Sequence, residues 1–186
     1  MAAAAAVNSR RCIARSSMNR RHHLALSARW LATAAVAPWA LAACAGRETA
    51  PDFAFTLLGG RTQQFAQARQ GKVMLVNFWA TSCTTCVKEM PQMAETFTRF
   101  KDQGYDMLAV AMNYDNPEFV ANFASSRQLP FGVTHDHDGA IAKAFGDVRL
   151  TPTSFLVDKS GAVVKKYVGE PDFADFQRLI GELLKA

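Results

Sequence analysis

The chain has 186 residues, 49% of them hydrophobic and 20% charged, and a formal net charge of +5. That charge does not describe a nucleic-acid surface. Arg10, Arg11, Arg15, Arg20, Arg21 and Arg29 all fall within residues 1–44, which hold no acidic residue, so residues 45–186 carry 15 basic against 16 acidic groups. Those 142 residues suffice for one domain with a real core, and no internal repeat or low-complexity tract interrupts them.

Residues 1–44 read as a targeting segment. Its apolar stretch, Trp30 to Ala43, is 14 residues long and contains Pro38. A membrane-spanning helix needs about 20 residues. The stretch ends in Leu41-Ala42-Ala43-Cys44, which resembles the lipobox of bacterial lipoproteins. That resemblance implies cleavage before Cys44 and lipidation of its thiol. Ala45 in the next position implies transfer to the outer membrane of a Gram-negative cell. Met18-Asn19-Arg20-Arg21 with the apolar stretch is a complete signal by itself, so Met18 is a candidate start. The arginine pairs also resemble a twin-arginine export signal.

Residues 45–52 are expected to form a polar tether, and residues 53–186 the folded domain. Phe53–Leu57 and Thr62–Phe65, separated by Gly59-Gly60, predict a small hairpin. A short helical piece, Ala66–Gln70, follows. Val73-Met74-Leu75-Val76, continued by Phe78 and Trp79, is an apolar run without alternation, the mark of a strand buried on both faces. Apolar residues at 87, 90, 93, 94 and 97 then make one face of a helix. Met107–Met112 is a second buried strand. Asn116 caps a helix that starts at Pro117 and runs to about Gln128. Phe131–Thr134 is a short strand, Asp138-Gly139 a turn, and Ala140–Phe145 a helix capped by Gly146. Thr153–Val157 and Ala162–Val168 form a hairpin turned at Gly161. Asp172–Leu184 is a terminal amphipathic helix. Strands alternating with helices predict an α/β layered fold of four or five strands with helices on both faces.

Cys83-Thr84-Thr85-Cys86 sits where the first buried strand hands over to a helix, with Cys83 at the helix N-terminus. The partial positive charge and free N–H groups there favour a thiolate. Such sites lower a cysteine pKa from about 8.5 to roughly 3.5–7.5. Cys86 lies one turn on, within reach of a disulfide. Cys83 would then attack a partner disulfide and Cys86 would resolve the mixed disulfide. The competing reading is a structural zinc site. Zinc wants four ligands, and beyond this pair the domain offers only His135 and His137. No metal is expected.

The chain resembles the thioredoxin superfamily, and more narrowly the periplasmic thiol–disulfide reductases of the TlpA/ResA type, over residues 51–186. Four features carry the resemblance in order: Val76-Asn77-Phe78-Trp79-Ala80-Thr81 before the cysteines, Glu89-Met90-Pro91, Thr151-Pro152-Thr153-Ser154-Phe155, and Asp158-Lys159-Ser160-Gly161. The resemblance implies a thioredoxin-like fold with a central mixed sheet, Cys83 as attacking and Cys86 as resolving cysteine, and Pro152 as a cis-proline facing them. It leaves the Thr151 backbone to pair with an incoming peptide, with Trp79 and Ser82 as further substrate-contacting positions. Glu89 is implied to assist proton transfer near Cys86. Asn77 stands where cytoplasmic thioredoxins have a buried aspartate, and is expected to hydrogen-bond within the core. Ser82 and Thr85 replace a tryptophan and a proline common among relatives.

The expected function is a lipid-anchored disulfide reductase of the periplasm, acting on protein disulfides such as those met in cytochrome c maturation. It would use no cofactor beyond its own cysteine pair, draw electrons from a membrane donor of the DsbD type, and bind no nucleic acid. Two other readings compete. One is a thiol peroxidase of the AhpC/TSA type, which lacks here the proline that should precede Cys83. The other is a copper chaperone similar to the Sco proteins, using the two cysteines and the segment His135-Asp136-His137-Asp138.

Overall fold

In a computed structural model, the structure describes residues 47–186. The targeting segment, Met18 and Cys44 lie outside the described residues. The first elements are β1 (Ala54–Thr56), β2 (Thr62–Gln64), α1 (Phe65–Ala68), β3 (Val73–Trp79) and α2 (Thr84–Phe100). A 3₁₀ turn (Lys101–Gln103) and Gly104, with φ of +98°, end the α2 segment and turn the chain into β4 (Tyr105–Ala111). There follow α3 (Pro117–Ser126), β5 (Gly132–His135), α4 (Ala140–Ala144), β6 (Thr153–Val157), β7 (Val163–Val168) and α5 (Phe173–Lys185).

Five strands form one mixed sheet in the order β5-β4-β3-β6-β7. β3 pairs in parallel with β4, and β4 with β5; β6 runs antiparallel to both β3 and β7. β1 and β2 form a separate antiparallel hairpin. The fold is thioredoxin-like.

The central position of β3 explains its sequence. All seven of its residues are buried. Alternate side chains serve two cores, because successive residues of a strand point to opposite faces. Val73, Leu75 and Trp79 join Met90, Met93 and Phe97 of α2, Val120 of α3, and Phe176 and Ile180 of α5. Met74, Val76 and Phe78 join Phe55, Phe65, Ile141 and Phe145 on the other face. A strand covered on both sides has no solvent face to record as polar residues, hence the unbroken apolar run.

Several boundaries differ from expectation. β4 begins at Tyr105 rather than Met107, since Asp106 is held by Lys72 at 2.7 Å and can lie within a strand. α2 starts at Thr84 and continues to Phe100, with Pro91 inside it. Within the tether expected over residues 45–52, the described residues Glu48 to Ala50 are paired rather than free. Glu48, Thr49 and Ala50 lie along the start of β7: Thr49 forms an antiparallel bridge with Ala162, the Ala50 N–H donates to the Gly161 carbonyl at 2.9 Å, and the Val163 N–H donates to Glu48 at 2.7 Å. Backbone pairing leaves no trace in side-chain polarity, so a polar lead and a strand-like strap read alike.

Candidate active site

The parallel strands β3 and β4 deliver their C-terminal ends to one pole of the sheet. Phe78 opposite Thr153 brings the start of β6 to the same pole. The cysteine loop, the β4–α3 loop and the Thr151-Pro152 segment therefore converge there.

Cys83 is the N-cap of α2. Its backbone is extended (φ −87°, ψ 104°), and its sulfur accepts the Cys86 N–H at 3.2 Å. Its carbonyl accepts the Val87 N–H at 3.0 Å, closing the first helical turn. The first turn of α2 holds no acidic side chain, so nothing there offsets the partial positive charge of the helix end. Cys83 and Cys86 form a disulfide, with Cα atoms 5.2 Å apart. The two sulfurs are unequal. Cys83 is half-buried, whereas Cys86 is 0% exposed and packs with Trp79 and Met90. A visiting disulfide can reach the first and not the second.

Glu89 is one turn beyond Cys86 and is also 0% exposed, not the solvated surface residue that a helix position after a polar loop would suggest. The Asn77 amide donates one N–H to Glu89 Oε1 at 3.1 Å and the other to Ser154 Oγ at 2.9 Å. Burial pushes the Glu89 carboxyl from 4.5 up to about 7, against the lowering effect of the Asn77 hydrogen bond and with a small further rise from the Glu170 charge. Asn77 thus bonds within the core, as expected.

The Thr151-Pro152 peptide bond is cis, as the resemblance implied. Pro152 is buried and its carbonyl accepts the Gly169 N–H at 2.8 Å. Among the described residues, neither the N–H nor the C=O of Thr151 enters a backbone hydrogen bond. Ser82 is exposed beside Cys83. Trp79 is not available to a docked peptide. It is 0% exposed, and its indole packs against Phe123 with ring centroids 5.2 Å apart, because its place in the β3 alternation points it inward. The expectation that Trp79 contacts substrate is corrected to that of a buried support beneath the loop.

The structure adds Asp115, Tyr114 and Ser154. The Asp115 carboxylate accepts the backbone N–H and the hydroxyl of Thr81, two residues before Cys83, and also the Asn116 N–H. Its carbonyl accepts from His135 Nε2 at 3.0 Å. A ring nitrogen facing a carbonyl must donate, and His135 Nδ1 meets His137 Nδ1 at 3.3 Å. The two histidines partner each other. Among the described residues no group of three or more His, Cys, Asp or Glu side chains is placed to hold a metal ion. Tyr114, 59% exposed, sets its hydroxyl 3.4 Å from that of Thr151. An aspartate between a buried strand and a proline-started helix was the available sequence signal for Asp115. Ser154 was marked only as a member of the motif Thr151-Pro152-Thr153-Ser154-Phe155, and Tyr114 had no signal.

Sheet order, cysteine pair and cis-proline together define a thiol–disulfide oxidoreductase of thioredoxin-like architecture. Comparison with known proteins agrees. The Redoxin family model matches residues 45–180, and the chain belongs to the redoxin family. It is 39% identical to the thiol–disulfide oxidoreductase ResA of Bacillus thuringiensis over 126 residues, 67% of this chain and 70% of that one. ResA of Bacillus subtilis is 35% identical over 134 residues, covering 70% and 73% of the two chains. Among solved structures, a Neisseria meningitidis protein described as a thioredoxin superposes with a TM-score of 0.69 at 41% identity, covering 75% of this chain and 91% of that one. A Chlorobium tepidum protein described as the thiol:disulfide interchange protein DsbE gives 0.66 at 29% identity, over 74% and 96%.

Proposed function

We propose that this chain is a disulfide reductase of the cell envelope, with Cys83 as attacking and Cys86 as resolving cysteine. The observation that carries the reading is the inequality of the pair: a half-buried Cys83 at a helix N-terminus, against a fully buried Cys86 next to a buried Glu89. The attacking thiolate is stabilised by the helix end and by the Cys86 N–H. Glu89 accepts the Cys86 proton when Cys86 becomes the nucleophile. An extended substrate segment pairs with the Thr151 backbone, against Pro152 and Ser82. The dithiol itself holds the two electrons, so no further cofactor is required.

The location rests on residues 1–44: arginines, an apolar stretch and Leu41-Ala42-Ala43-Cys44 support export to the periplasm and lipid anchoring at Cys44, in a Gram-negative outer membrane. In an oxidising compartment a reductase needs electrons from across the membrane, which a donor of the DsbD type supplies. Substrates are protein disulfides, including those met in cytochrome c maturation.

The decisive experiment replaces Cys86 with Ala and isolates the proteins joined to Cys83 in the envelope. The purified domain should have a reduction potential well below about −150 mV. A value near or above that mark, or the absence of any mixed disulfide, overturns the reductase reading.

A further inference from the structure

Glu89 and Asn77 share an unusual pattern of satisfied and unsatisfied atoms. Asn77 and Ser154 stand directly opposite each other on the antiparallel strands β3 and β6, where side chains on one face meet. Both N–H groups of the Asn77 amide are used, one on Glu89 Oε1 and one on Ser154 Oγ. Ser154 therefore decides which way the amide faces: with its hydroxyl oxygen taking one N–H, the other is aimed at the carboxyl group. Two buried acceptors have no partner within the protein, Asn77 Oδ1 and Glu89 Oε2. The network fills one oxygen of Glu89 and leaves the other free, although buried polar atoms are normally paired.

We infer that Asn77, oriented by Ser154, is a positioning residue of the redox reaction: it fixes Glu89 Oε1 and reserves Oε2 as the atom that exchanges the proton of Cys86. This rests on the reductase reading above. The Cys83 thiolate attacks one sulfur of the substrate disulfide, that S–S bond breaks, and the first substrate sulfur leaves as a thiolate. Cys86 gives its proton to Glu89 Oε2 and attacks Cys83. The Cys83–substrate bond breaks, and the second substrate sulfur leaves. Two electrons pass from the dithiol to the substrate, and Glu89 releases its proton to a departing thiolate or to water.

Asn77 does a second thing. A donor aimed at a carboxylate favours the charged form, opposing the burial that holds the group near 7. Without it Glu89 would stay protonated at neutral pH and could not accept from Cys86. An aspartate at position 77 would set two carboxyl groups against each other; an amide supports one.

The test is titration of the Glu89 carboxyl by ¹³C NMR in the oxidised full domain, with the pH profile of insulin-disulfide reduction by the chemically reduced protein measured beside it. In the wild type the carboxyl should titrate near 7. Asn77→Ala should move that midpoint up by about one unit, the worth of one hydrogen bond to a charged group. The limb of the rate profile assigned to Glu89 should move with it. Ser154→Ala, which leaves Asn77 in place and opens little space, should move both in the same direction by less. Glu89→Gln should remove the limb. If Asn77→Ala and Ser154→Ala leave the titration and the profile unmoved, the inference is overturned. If Asn77→Ala does not fold, Ser154→Ala alone decides by the same criterion. A wild-type protein that reduces no disulfide, while its Glu89 midpoint still shifts in both variants, overturns the reductase reading and leaves the positioning of Glu89 standing.

Discussion

Asp115 takes both the backbone N–H and the hydroxyl of Thr81, the latter at 2.6 Å, and so ties the β4–α3 loop to the cysteine loop. The same carboxylate accepts the Asn116 N–H, and the residue is 7% exposed. Three donors converge on one buried carboxylate. Asp115→Ala strands the Thr81 N–H and should lower stability by about 2–3 kcal/mol. It should also slow formation of the mixed disulfide, because the loop leading into Cys83 then loses its tie to the β4–α3 loop. Urea denaturation and stopped-flow reaction of the reduced protein with insulin measure the two effects.

The inequality of the sulfurs gives a second expectation. After reduction, iodoacetamide should modify Cys83 at least about tenfold faster than Cys86, since reactivity follows thiolate character and exposure. Peptide mapping by mass spectrometry reads the ratio. Comparable rates would mean that Cys86 is not shielded in the reduced protein.

Glu89 makes stability depend on pH in the opposite sense to a salt-bridged carboxylate. Its folded pKa, about 7, lies above the ordinary value of 4.5. Between those values the folded state binds more protons than the unfolded one, so stability is full below the lower pH and is lost as pH rises through the upper. The total change is on the order of 3 kcal/mol. Denaturation of the oxidised protein across pH 4 to 8, roughly, should show that decline, and Glu89→Gln should flatten it.

Gly161 turns the β6–β7 hairpin with φ of +93°, and a Cβ there would collide with the Arg69 guanidinium. Gly161→Ala should cost about 1–3 kcal/mol. Part of that is backbone strain and part is the displaced guanidinium. In an Arg69→Ala background the second part vanishes, so the same substitution should cost less there. A double-mutant cycle by chemical denaturation separates them.

Local signals in the sequence carried much of this. The apolar run of β3, the cap at Asn116, the glycine turns and the cysteine spacing each depend on neighbours in the chain, and each is where it was expected. The contacts that finish the site do not. Asn77 meets Ser154 across 77 residues, and Thr81 meets Asp115 across 34. Only the folded sheet brings those pairs together, and a serine in a strand or an aspartate in a loop looks ordinary beforehand. Trp79 failed for a related reason. The resemblance implied a substrate-contacting role, whereas the alternation of β3 sends its indole inward. For Glu89, helix spacing placed it near Cys86, but only tertiary packing decided that it is sealed from water.

The bridge between Thr49 and Ala162 has one more consequence. The hairpin turn it braces joins β6 and β7 at the end of the sheet away from Cys83, since Met74 faces Val157 there while Phe78 faces Thr153 at the cysteine end. The described chain thus enters at the pole remote from its reactive sulfurs. A pull applied at Arg47 would be borne by the strap and the hairpin, at the opposite end of the sheet from Cys83.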